Sequence, residues 1–180
     1  MSSKKMNDVQ MWTYLVLVFC SAQSHGYDCK WMTSQYGIVN GEALSLLRQM
    51  GGKFSSEIVP FPERIYKKME NVTDADQLRL MAEVTEQIVK LFDDDYAAAR
   101  WDTGALDNFL NILQTRQLKE LESCAAAYPN TRRRPLKVRR HFRELRQMLR
   151  KNNYSRESWE KIRRAVLLHL TRMGIIAGHV

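Results

Sequence analysis

Imidazoles, thiols and clustered carboxylates are the groups in this 180-residue chain that could hold a metal or attack a substrate. Its four histidines are His25, His141, His169 and His179. None stands at a metal-ligand spacing from a cysteine or carboxylate on one helix face. Asp93-Asp94-Asp95 offers three adjacent carboxylates, but the alternating ligands of a calcium loop are missing, so the run reads as a solvated helix end. Nucleophile-elbow, phosphate-loop and dinucleotide fingerprints are absent, and Gly51-Gly52 reads as a helix stop rather than a phosphate cradle. The residues point away from catalysis, and no cofactor or metal is expected.

The thiols bear instead on compartment. Residues 1–26 read as a secretory leader. Lys4 and Lys5 form its basic start, Met11 to Ala22 an apolar stretch of twelve, and Ser24 and Gly26 the small residues before a cut ahead of Tyr27. Twelve residues fall short of the ~20 that span a bilayer, and no later segment is apolar enough to cross one. A secreted, extracellular product of residues 27–180, one domain's worth of chain, is the expectation. Losing the leader removes Cys20 and leaves Cys29 and Cys124, a pair most simply joined in an oxidising compartment. Closing so long a loop would stabilise the fold by roughly 4–5 kcal/mol in the chain-entropy treatment. Asn71-Val72-Thr73 and Asn153-Tyr154-Ser155 are glycosylation sequons at expected helix boundaries.

Charge is the other strong feature. Residues 132–172 hold fifteen Lys/Arg against Glu144, Glu157 and Glu160, a net +12 on a chain whose total is +8. An apolar rhythm of Val138, Phe142, Leu145 and Leu149, then Trp159, Ile162, Val166 and Met173, makes this a folded surface rather than a tail. Nucleic acid is set aside, because the chain reads as secreted and has few exposed aromatics there to stack on bases. Heparan sulfate fits Arg132-Arg133-Arg134 and Arg139-Arg140 better. Membrane insertion is disfavoured because the apolar stripe reads as core. A basic host-defence protein acting directly on polyanions or membranes therefore stays open, as does a solvated face with no partner.

Helices must position all of this, since helical periodicity dominates and strand signals are weak. A first helix runs into Glu42–Met50 and begins as early as Lys30, with Gly37 and Asn40 weakening its middle. Others are expected over Asp74–Asp93 behind a Thr73 cap, Asp102–Ala126, residues 136–151, and residues 156–173 behind a Ser155 cap. Residues 51–73 are long for a bundle joint and read as a crossover. An all-α four- or five-helix bundle results, up-up-down-down rather than simple up-and-down.

Two blocks carry a family resemblance. Ala99-Arg100-Trp101-Asp102-Thr103-Gly104-Ala105-Leu106-Asp107-Asn108-Phe109, continuing to Leu121-Glu122-Ser123-Cys124, resembles the third helix of type I interferons. Val138-Arg139-Arg140-His141-Phe142, followed by Tyr154-Ser155-Arg156-Glu157-Ser158-Trp159-Glu160-Lys161-Ile162-Arg163, resembles their signature region. Carrying only Cys29 and Cys124 once the leader with Cys20 is removed, the chain is similar to the two-cysteine teleost group. Glu157, Ser158, His141 and Met148 depart from common signature residues. The resemblance implies an interferon-like bundle tied by Cys29–Cys124. It also implies a cytokine that bridges two class II receptor subunits and activates JAK–STAT and antiviral genes. One receptor would meet the loop after the first helix together with the last helix. That makes Arg163 the leading contact, with Arg164 and Leu167 nearby and Lys53 and Phe54 in the loop. Trp159, heading the buried stripe, is expected in the core.

Overall fold

Periodic apolar residues set five long helices, and the computed structural model adds a short sixth. It describes residues 29–57, 59–69, 72–128 and 135–178. The expected leader, Asn71 and Arg132-Arg133-Arg134 lie outside the described residues. Helix α1 covers residues 30–49, opening with a wide π turn at Met32–Tyr36 and continuing as Gly37–Gln49. Met32, Tyr36, Val39, Ala43, Leu47 and Met50 bury one face at spacings of three and four. Asn40 does not weaken this helix. Its buried amide donates to the Leu170 carbonyl at 3.1 Å and so joins α1 to the last helix.

Helix α2 (Glu63–Met69) lies inside the crossover, just after Pro62. With seven residues and Tyr66 alone buried, it is too short for periodicity to reveal. Helix α3 is Asp74–Leu91, its first turn capped by Thr73, whose hydroxyl accepts from the Asp76 amide. Helix α4 covers residues 103–126, interrupted by a π segment at Ile112–Leu118. Asp102 is its cap, accepting from the Ala105 amide at 2.6 Å. Helix α5 is Leu136–Lys151 and α6 is Arg156–Ala177, four residues longer than the periodicity indicates. Ser155 caps α6 as expected. Asn153 and Tyr154 turn the corner with φ of 48° and 51°.

Helix α1 ends immediately before Gly51 and Gly52, as expected, but not through a left-handed glycine cap. The helix end at Met50 is right-handed, and neither glycine has positive φ. Packing decides Gly51: a Cβ there would lie 2.9 Å from Arg163 Cζ and 2.9 Å from Trp101 Cδ1.

Contacts fix the directions. Glu42 pairs with Arg116 at 2.7 Å and the Asp102 amide donates to the Met50 carbonyl at 2.8 Å, so α1 and α4 are antiparallel. Gln117 reaches Thr85 and Arg79 reaches the Tyr128 carbonyl, so α3 opposes α4 as well. Helix α6 opposes α1, while α5 follows α3 through Arg139–Glu83 and Arg146–Asp94. Helices α1 and α3 thus run up and α4 and α6 down, with α5 added as a further upward helix. Phe92, Trp101, Phe109 and Trp159 form the aromatic centre, with ring centroids 5.5–5.8 Å apart. A disulfide joins Cys29, just before α1, to Cys124 near the end of α4, their Cα atoms 5.6 Å apart.

Candidate functional site

Arg163 is not at the surface. Its side chain is fully buried, so it has no area to give a partner. The family resemblance made it the leading contact, whereas a charged residue is buried where it is fully paired. Here every donor is paired. Nε and Nη2 donate to Glu160 Oε2 at 2.9 and 2.6 Å. Nη1 donates to the carbonyls of Leu47 (2.9 Å) and Arg48 (3.5 Å), and Nη2 also donates to that of Gly52. Five N–H groups in a planar fork are thereby satisfied, which lysine's single ammonium cannot match. The guanidinium carbon also lies 3.9 Å over the centroid of the Phe54 ring. Glu160 is held from its other side by Trp101 Nε1, which donates to Oε1 at 2.8 Å. One buried ion pair therefore joins the end of α1, the start of the crossover, the start of α4 and the middle of α6.

Around this hub other α6 cations grip the same crossover. Arg164 donates to the Ser55 carbonyl, Lys161 pairs with Glu57 and Glu157, and Arg172 pairs with Glu63 at 2.7 Å. The result gathers Lys53, Phe54, Arg163 and Arg164 into one region, with Leu167 one turn further along α6. Lys53 is exposed, Phe54, Arg164 and Leu167 are half-buried, and Arg163 lies beneath. Trp159 is in the core as expected, its indole N–H donating to the Asp95 carbonyl at 2.8 Å. Asp94 lies 4.0 Å from Arg146, and Asp95 accepts from the Ala97 amide. Asn153 is exposed at the α5–α6 corner.

A second buried polar group escaped sequence reasoning. His141 Nε2 lies 3.1 Å from His169 Nε2, and the Tyr66 hydroxyl contacts His169 Nδ1. Phe61 and Phe142 pack against the imidazoles. Burial pushes His141 down to about 4, and burial together with His141 holds His169 well below its ordinary range. Burial likewise raises the Tyr66 phenol. The only sequence signal was that His141 and His169 fall on the apolar stripes of their helices. Among the described residues no group of three or more His, Cys, Asp or Glu could hold a metal ion.

Comparison with known proteins agrees with this architecture. An interferon alpha/beta domain model matches residues 32–177. The chain is 38% identical to interferon a3 of Oncorhynchus mykiss over 178 residues, covering 97% of this chain and 99% of that one. It is 29% identical to interferon alpha-2 of Equus caballus, covering 85% and 88% respectively. The solved structure of zebrafish interferon 1 matches with a TM-score of 0.79 at 37% identity, over 84% of this chain and 99% of that chain. The family model, the sequence similarity and the structural match agree: the chain belongs to the interferon alpha/beta family.

Proposed function

We propose that this interferon is secreted and bridges two class II cytokine receptor subunits, triggering JAK–STAT signalling and antiviral gene induction. One observation carries the reading of the site: α6 holds the crossover by buried and half-buried bonds, so the partly exposed loop stands preset beside a half-buried helix flank. A partner meeting a preset surface loses less ordering entropy on binding. Lys53, Arg164, Leu167 and the half-buried ring of Phe54 are the proposed contacts. Arg163 is a positioning residue that acts through the loop. Glycans on Asn71 and Asn153 complete the reading of a secreted product.

The test uses protein applied to cells. Induction of antiviral genes is expected at picomolar to nanomolar doses, a range that receptor interfaces reach, and is expected to vanish in cells lacking one receptor subunit. Lys53→Glu should weaken potency at least about tenfold with unchanged thermal stability. Equal potency in receptor-negative cells would overturn the proposal. That outcome belongs to the second reading, a basic protein acting directly through heparan sulfate or membranes. The exposed cations of α5 favour a polyanion contact, and such a contact is compatible with signalling.

A further inference from the structure

The cations of the basic block divide into two populations. Those of α6 are mostly consumed: Lys161, Arg163, Arg164 and Arg172 all bond to the crossover or to neighbouring carboxylates. On α5, Arg139 is held bidentately by Glu83 at 2.6 and 2.8 Å, and Arg146 lies beside Asp94. Both of these arginines fall on the flank of α5 that faces α3. The outward line of the same helix is different. Lys137, Arg140, Arg143 and Arg150 are exposed, and among the described residues none makes an ion pair. At 1.5 Å per residue, Arg140 to Arg150 spans about 15 Å.

The line continues across a groove of about 470 Å³ between α2 and the start of α5. Lys137 stands on one side of that groove, and Arg64 and Lys68 of α2 on the other. Arg64 and Lys68 are also exposed and unpaired among the described residues. Six unneutralised cations thus form one band from α2 along the outside of α5, and Glu144 is the acid beside it on that helix.

We infer that this band is a docking surface for a linear sulfated polyanion of the glycosaminoglycan class. The occupant follows from what the band contains. A protein partner would want buried aromatic anchors, and the outer line of α5 has none. A bilayer would want an apolar face to insert, and Leu136 is the one exposed large hydrophobic on this helix. Single-stranded nucleic acid would want stacking platforms, which the band also lacks. Ile65, Met69, Leu80 and Val138 line the groove itself together with Asp76, but the outer line of α5 offers spaced cations without apolar anchors, which suits a chain recognised by its charge along a line. Helix α5 packs on α3 and α6, away from α1, so the α5 part of the band lies apart from residues 51–57, while Arg64 and Lys68 belong to the later part of the crossover.

This placement rests on the polyanion reading given above, and one experiment separates the two. The full mature chain is applied to immobilised heparin and eluted with salt. A charge-matched triple variant (Lys30→Ala, Lys119→Ala, Arg156→Ala) is compared with the band variant (Lys137→Ala, Arg140→Ala, Arg143→Ala). Counterion release predicts about 0.7 of salt slope per contact, so the band variant should lose about two. The scattered variant should lose little. Elution of the wild type below physiological salt would sink the polyanion reading itself. Equal weakening of both variants would leave that reading and overturn the placement. Competition by an oligonucleotide or by phosphatidylserine vesicles as effective, charge for charge, as heparin would overturn the choice of ligand.

Discussion

Arg163 shows how a residue that a family resemblance makes a surface contact can lie buried beneath it. Its spacing from Trp159 and Glu160 marks it on α6, but the partners that bury it are carbonyls more than a hundred residues earlier. No local pattern reveals that a helix end and a crossover will close over a guanidinium. The consequence is a reversal of what its removal should do. A surface contact could be truncated at little cost to the fold, whereas Arg163→Ala leaves Glu160 buried without its cation. The expected loss is about 3–5 kcal/mol, read as a lower denaturant midpoint with unchanged slope. Arg163→Lys should recover only part of it, since an ammonium cannot span Glu160, Leu47 and Gly52 together. A stability change of less than about 0.5 kcal/mol in Arg163→Ala would show that the hub contributes nothing.

At the scale of elements, the long helices were legible and the short one was not. Helices α3, α5 and α6 bury residues at regular spacing, and Thr73 and Ser155 announce two of their starts. Helix α2 has a single buried residue, and what seats it is the contact of Tyr66 with His169. That seat is pH-dependent in a definite direction. Both imidazoles are held below the ordinary value of about 6.5, so below that pH the unfolded chain takes up protons that the folded chain resists. Their contribution is complete above pH ~6.5 and is lost as the pH falls towards the value of about 4 for His141. Other charged groups beside Tyr66 are Glu63 and Arg172, which face each other in an ion pair. His141 alone is expected to lower stability by on the order of 3 kcal/mol between pH 7 and 4, and His169 adds to the loss in the same direction. Amide exchange in α2 should rise earlier than in α3. A His141→Phe variant should flatten part of the profile; an identical profile would remove His141 from the account.

For the whole molecule, the disulfide and the bundle order were readable because each has a count behind it: two cysteines left, and one joint too long for a hairpin. The grip of α6 on the crossover was not, because ion pairs between segments leave no mark on either segment alone. The bridge between Cys29 and Cys124 encloses most of the fold, with a sequence separation of 95. Reduction should lower stability by roughly 4–5 kcal/mol in the chain-entropy treatment, measured by denaturant unfolding with and without reductant. Receptor activation should fall with it at 37 °C. An unchanged midpoint would mean that the ends of α1 and α4 are held by packing alone.

The position of Arg163 near the far end of the chain has a consequence for biosynthesis. Proteins emerge from the ribosome N-terminus first. The crossover is therefore made more than a hundred residues before the guanidinium that fixes it, and Cys29 waits nearly as long for Cys124. Until α6 emerges, Leu47, Arg48 and Gly52 lack their donor, and the segment after α1 remains open to chaperones and proteases. A message truncated between residues 152 and 163 would yield a chain with its first five described helices and no seated loop. Nascent chains arrested before and after that point should differ sharply in proteolysis at residues 51–57, with protection arriving in one step as α6 docks.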